Sequence, residues 1–203
     1  MIFQIIIKNK SVEEIDILKQ ALLVIDAQQQ LMDGHQEEPE VFQKKRLIDN
    51  INSVIDQALE ARAAVIFVRD KDVANGQGAG FQVHNDINIP TATAIFIDKK
   101  ATNSFYKTDL LQILKDKQVT HIVIMGCKTE HCIDTAVRAA TIYGFDVTLI
   151  GDGHSTTDSK ILSAEKIIAH HNEVLHGHYN VDNFSVVRIA QEHVFEPNHH
   201  QYR

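Results

Sequence analysis

The sequence predicts an α/β fold with three layers, αβα, around a mostly parallel sheet of six strands. Two observations carry this. Six short runs rich in Val and Ile recur along the chain, and each is close to continuously apolar rather than alternating, the pattern of strands covered on both faces. Helical patterns lie between most of them. The length of 203 residues fits a single domain over 1–203, with an N-terminal extension at 1–19 and a C-terminal tail at 191–203.

Taken in order, the predicted strands are ALLVIDA (21–27), AAVIFVRD (63–70), TAIFID (93–98), HIVIMG (121–126), DVTLIGD (146–152) and FSVVRIA (184–190). Between the first two, residues 41–63 place Leu47, Ile51, Ile55 and Leu59 at spacing four on a helix. The segment 70–92 has no periodicity, and a loop of that length is functional or flexible as a rule. Its Gly76, Gly78 and Gly80 do not make a phosphate-binding fingerprint, because no helix follows them directly. TDLLQILKDK (108–117) predicts a short helix with Thr108 as N-cap. CIDTAVRAATIYG (132–144) predicts a helix closed by Gly144, and residues 163–176 one opened by Ser163. The leading MIFQIIIKNK is too short and wrongly flanked for a signal peptide or membrane span, and reads as an extra strand or surface leader. The His-rich end, HVFEPNHHQYR, reads as a frayed tail rather than a metal site.

Charge and cysteine content narrow the function. A net charge of −7 without a basic cluster argues against a nucleic-acid partner. Two cysteines, five positions apart, are too few for a disulfide scaffold and suggest a reduced, cytoplasmic setting.

In a parallel sheet the chemistry gathers at the carboxyl ends of the strands. Asp26 ends the first strand, Lys99 follows the third, and Cys132 opens the helix after the fourth. An acid, an amine and a thiol in one crevice suit nucleophilic catalysis. A nearby cation and a helix N-terminus lower a thiol's pKa. A carboxylate relays the proton. Backbone N–H groups of the turn before the helix stabilise an oxyanion. Each residue alone has a plainer reading: Asp26 as a loop cap, Lys99 as a solvated strand end, Cys132 as a small buried side chain.

Three segments in this order resemble the isochorismatase-like cysteine hydrolases. ALLVIDAQQQL resembles the family's first-strand motif, with its aspartate at Asp26; DKKATNSFYKTDL the lysine motif, with Lys99 rather than Lys100 six positions before Phe105; and GCKTEHCIDTAVRAATIYGFDVTLIGDGHST the nucleophile motif, with Cys132 rather than Cys127. GAGFQVHNDI resembles the loop before the third strand, Phe81 standing where the family often has Trp. The resemblance implies a Rossmann-like sheet and an Asp26–Lys99–Cys132 triad that opens an amide-type bond through a thioester. It also implies a cis peptide at Cys127–Lys128, with the N–H groups of Lys128 and Cys132 as the oxyanion hole. It implies no cofactor, a small-molecule substrate, no membrane partner, and assembly into a dimer or tetramer.

Departures refine this. Isochorismatases proper lack the cysteine, and nicotinamidases carry an Asp-x-His and a further His for a metal. Here RDKDVANG follows the second strand and His84 stands alone, so no metal is expected. The HST (154–156) and AEKIIAHHN (164–172) elements look more like uncharacterised members of the family and a streptothricin-hydrolase-like group. Phe81 and Phe105 are candidate walls of a substrate pocket or covers of the core. His131 is a candidate pocket residue or a helix-surface residue, and Glu130 suits the helix N-terminus without any catalytic role. Two further readings stand beside the hydrolase: a redox sensor using Cys127 and Cys132, and a non-catalytic family member with a binding or assembly role.

Overall fold

A computed structural model describes residues 19–36 and 38–196. The leader 1–18 and the extreme C-terminus, on which two of the expectations fall, lie outside the described residues.

Among the described residues the sheet has seven strands in the order β3-β2-β1-β4-β5-β7-β6. They are β1 (Gln20–Ile25), β2 (Ala64–Asp70), β3 (Ile95–Lys99), β4 (His121–Cys127), β5 (Asp146–Ser155), β6 (Tyr179–Asn180) and β7 (Asn183–Arg188). All pairings are parallel except β6 with β7. The expected count of six is thus corrected by β6, a two-residue antiparallel edge too short to leave a hydrophobic pattern.

Alternate residues of the central strands feed two core layers. Ala21, Leu23 and Ile25 of β1 join Ile122 and Ile124 of β4 on one face. Leu22 and Val24 join Val123 and Met125 on the other. The first layer is closed by α4 (Leu110–Asp116) and α5 (Asp134–Ile142), the second by α2 (Lys44–Glu60). With α1 (Gln29–Asp33), α3 (Gly78–Phe81) and α6 (Ala164–Leu175) these make up the α-helices. Within α2, Leu47, Ile51 and Ile55 are buried but Leu59 is exposed. A spacing of four overshoots the helical repeat by about 40° each time, so the fourth position leaves the apolar face. Ile48, Val54 and Ala58 take the vacated core positions.

The helix ends differ from expectation in detail. Asp109, not Thr108, precedes α4; the Thr108 hydroxyl accepts from the Leu110 N–H at 3.4 Å and donates to the Ser104 carbonyl at 2.6 Å. Ser163 precedes α6, yet the Ala164 N–H is capped by Asp158 Oδ1 at 2.8 Å. Segment 70–92 is stitched to the stretch after β1: α3 lies within it, and His84 N–H donates to the Ala27 carbonyl at 2.9 Å. The start of the supposed tail is docked, since Val194 and Phe195 are buried in the α2 layer and Gln57 bonds the backbone of Ala190 and Val194. No described helix is long and apolar enough to cross a membrane.

Candidate active site

The strand order reverses between β1 and β4, because β1 continues to β2 and β4 to β5 on opposite sides. In open α/β sheets the ligand crevice forms at such a switch point, beyond the carboxyl ends of the strands. Asp26 leaves β1 there in a left-handed conformation (φ 50°), its N–H held by the Val68 carbonyl at 2.8 Å. On the facing strand Gly126 has φ 124°, and a Cβ at this position would stand 2.0 Å from the Ile25 carbonyl oxygen. Only glycine lets β4 pass β1 so closely. The Cys127–Lys128 peptide bond that follows is cis. Residues Thr129–Ile133 then form a single π turn before α5, and the Lys128 carbonyl accepts from the N–H groups of His131 (3.2 Å) and Ile133 (3.3 Å), on either side of Cys132. Such widened turns are frequent at functional sites.

Lys99, the last residue of β3, crosses beneath the end of β2 to reach this crevice. Its Nζ lies 2.8 Å from Asp26 Oδ2, 2.6 Å from Asp70 Oδ2 and 3.4 Å from Cys132 Sγ. Asp26, Lys99 and Cys132 are brought together as expected by position, and Lys100 is exposed outside the cluster. Asp70 is a fourth member that the sequence analysis passed over. It ends β2, in register with Lys99, so the same strand-end criterion that selected Asp26 points to it. Gln28 fixes it: the buried amide accepts from the Asp70 N–H (2.7 Å) and donates to the carbonyls of Asp70 (3.1 Å) and Phe81 (2.8 Å).

The electrostatics correct one expectation. Burial pushes the Cys132 thiol up to about 12, the Asp26 carboxylate adds to the rise, and Lys99 only partly offsets them. The thiol is therefore protonated in the free protein, not held as a thiolate; a cation and a helix N-terminus lower a thiol's pKa only where desolvation and a facing carboxylate do not outweigh them. Burial likewise raises Asp26 to about 6, against the lowering influence of Lys99 and of hydrogen bonding to Cys132. Burial disfavours the Lys99 ammonium, but Asp26, Cys132 and Asp70 together hold its pKa above the ordinary lysine range. At neutral pH the centre is a carboxylate, an ammonium and a thiol.

Among the described residues, Asp26, Asp70 and Cys132 are the group of three donors close enough to share an ion, with ligand atoms within 4.8 Å of one another. The Lys99 ammonium already sits against all three and offsets part of the carboxylates' charge. His84 is engaged elsewhere, its Nε2 3.1 Å from Asp33 Oδ1 and its Nδ1 accepting the Asp86 N–H.

A cavity of about 730 Å³ opens beside the centre, lined by Leu31, Glu38, Asp70, Asp72 and Lys128 among others. The three side chains expected to bind substrate do not line it. Phe81 is buried with the Arg69 guanidinium over its ring at 4.5 Å. Phe105 is packed against Tyr143 and Phe145 in the core layer that also holds Cys132. His131 precedes Cys132 in the turn, its Nε2 3.7 Å from Glu130 Oε1 and 65% of its side chain exposed. The cysteines also separate: Cys127 belongs to the α2 layer and Cys132 to the α5 layer, on opposite faces of the sheet, and both thiols are free.

This strand order and crevice define an α/β protein of the Rossmann-like class. More narrowly, the chain belongs to the isochorismatase-like hydrolase family, for its residues 20–167 match the model of the Isochorismatase domain. It is 30% identical over 139 residues to the uncharacterized isochorismatase family protein YrdC of Bacillus subtilis, covering 66% of this chain and 72% of that one. It is 27% identical over 143 residues to the streptothricin hydrolase of Streptomyces noursei, covering 68% of this chain but only 50% of that protein. The crystal structure of an isochorismatase family protein superposes with a TM-score of 0.73 at 28% identity, over 83% of this chain and 97% of that one.

Proposed function

We propose that the protein hydrolyses an amide-type C–N bond of a small molecule through a thioester on Cys132. The observation that carries this reading is the Lys99 ammonium, buried within hydrogen-bonding reach of Asp26, Asp70 and Cys132. The likeness to a streptothricin hydrolase supports the choice of bond.

The electrostatics favour general-base attack over a standing thiolate. As Cys132 Sγ approaches the carbonyl carbon, its proton passes to Asp26, and the N–H groups of Lys128 and Cys132 receive the oxyanion. The C–N bond breaks as Asp26 returns the proton to the leaving nitrogen, which departs as an amine or ammonia. Water then attacks the thioester, Asp26 takes its proton, and the carboxylic acid leaves as the thiol re-forms. One amide and one water give one acid and one amine. Lys99 moves no proton; it holds the carboxylate and the sulfur in place while charge shifts between them. Asp70 anchors the ammonium from the cavity side.

The test is release of amine or ammonia from a panel of amides, ureides and lactams by wild type and Cys132→Ala in parallel. Activity confined to wild type is the expected result. Equal activity in both would remove Cys132 as nucleophile and overturn the mechanism.

A further inference from the structure

We propose that Asn172, His154 and Thr129 form a positioning relay, running from α6 through the end of β5 to the nucleophile turn, that sets the reactivity of Cys132. The proposal rests on Cys132 being the reactive thiol. It gives a role to the HST and AEKIIAHHN elements, which the triad leaves unused.

His154 is buried near the end of β5, and its ring touches both neighbours. Nδ1 lies 2.8 Å from the Thr129 hydroxyl and Nε2 2.9 Å from Asn172 Oδ1. The direction of each bond follows from the third contact. Asn172 donates its amide N–H to the Gly151 carbonyl at 2.9 Å, which leaves its oxygen facing His154 as an acceptor. His154 must therefore carry its proton on Nε2, which leaves Nδ1 to accept from the Thr129 hydroxyl. Gly151 permits the approach, since a Cβ there would meet Val187 Cγ1 at 2.7 Å and the Asn172 amide at 3.2 Å. Burial keeps the imidazole neutral, lowering its pKa to about 4.

Thr129 is fully buried and opens the π turn that carries Cys132 three residues later. A second tie runs beside the first: the Thr156 hydroxyl donates to Glu130 Oε1 at 3.0 Å. Both residues of the HST element that flank Ser155 thus grip consecutive positions of the turn. The Ser155 hydroxyl itself donates to the Phe42 carbonyl at 2.6 Å, so each residue of the element has a side-chain hydrogen bond to another part of the chain. The turn is a single π turn held by two backbone bonds to the Lys128 carbonyl, and these side-chain ties add to them at its first two positions.

The test reads Cys132 directly through its alkylation by iodoacetamide, which needs no substrate; Cys127 is fully buried and silent. Thr129→Val keeps the shape and removes the hydroxyl, and is expected to slow alkylation about tenfold, the effect of one buried hydrogen bond. Thr129→Ser restores the hydroxyl and is expected to recover most of the rate. Long-range 1H–15N spectra of the wild-type protein, assigned with His154→Gln, are expected to show His154 protonated on Nε2 alone. A wild-type rate in Thr129→Val, a serine variant as slow as valine, or a proton on Nδ1 would each overturn the proposal; the last decides the matter even where the valine variant fails to fold. An amide panel without Cys132-dependent hydrolysis would overturn the proposed function and leave these results standing.

Discussion

Replacing Lys99 by Met removes the one buried cation between two carboxylates while keeping most of the side-chain volume. In the wild type the folded chain holds the Asp26 proton to about pH 6, whereas the ordinary value is 3.8. The folded state therefore binds more protons than the unfolded state between these values, and stability falls as the pH rises through that window. Lys99 stays charged in both states over the same range and adds no slope of its own. Without it, the strongest influence lowering the Asp26 pKa is lost, so the carboxyl stays protonated further up the scale and the decline continues past pH 6. Each pH unit so gained is worth about 1.4 kcal/mol, so two units, from pH 6 to 8, come to about 3 kcal/mol. That is a large share of the roughly 5–15 kcal/mol that holds a domain folded. Urea unfolding at pH 5 and pH 8 measures it. The deficit of Lys99→Met relative to wild type is expected to be about 3 kcal/mol larger at pH 8, and the pH dependence should vanish when Asp26→Asn is added. Equal deficits at the two pH values would show that Lys99 does not govern the Asp26 charge, and the electrostatic account of the site would fail.

Three further outcomes are expected. Alkylation of Cys132 against pH should follow Asp26, falling tenfold per unit below about pH 6, because the carboxylate must be free to take the thiol proton; a single limb near the ordinary thiol value of about 8.5 would contradict base assistance. Gly126→Ala places a Cβ 2.0 Å from the Ile25 carbonyl oxygen at a left-handed φ, and is expected to lower the urea-derived stability by about 3 kcal/mol or more, whereas a loss under about 1 kcal/mol would contradict the close strand passage. His154, lowered to about 4 by burial in spite of its bond to Asn172, is unprotonated when folded but takes a proton near 6.5 when unfolded. Its contribution is present above pH 6.5 and is lost as the pH falls toward 4, so wild type should lose roughly 3 kcal/mol more than His154→Gln between pH 7 and 4, and equal acid losses would count against a buried neutral ring.

The sheet was legible because β1, β2, β4 and β5 are buried on both faces and so read as unbroken apolar runs. β6 was not, since two residues carry no period. Asp26, Lys99 and Cys132 were legible as strand ends and a helix start. Asp70 shares that position but lies within RDKD, a run that reads as a solvated turn; nothing local reveals that the Lys99 ammonium crosses to it. The state of the thiol is hidden in the sequence for a related reason. A cation nearby in sequence motif terms is visible, whereas desolvation depends on what the whole fold packs around the sulfur. The same holds for Phe105 and for Val194 and Phe195, whose burial is decided by partners far along the chain. Thr129, His154 and Asn172 share no spacing, and only the meeting of β5, α6 and the nucleophile turn joins them.

The sheet that parts the two cysteines has a bearing on oxidative damage. When a peroxide converts Cys132 to a sulfenic acid, repair requires a second thiol to condense with it. Cys127, the other cysteine of the chain, is fully buried in the α2 layer, and no disulfide joins the two. A resolving thiol is therefore expected to come from solution, through the crevice at the strand ends.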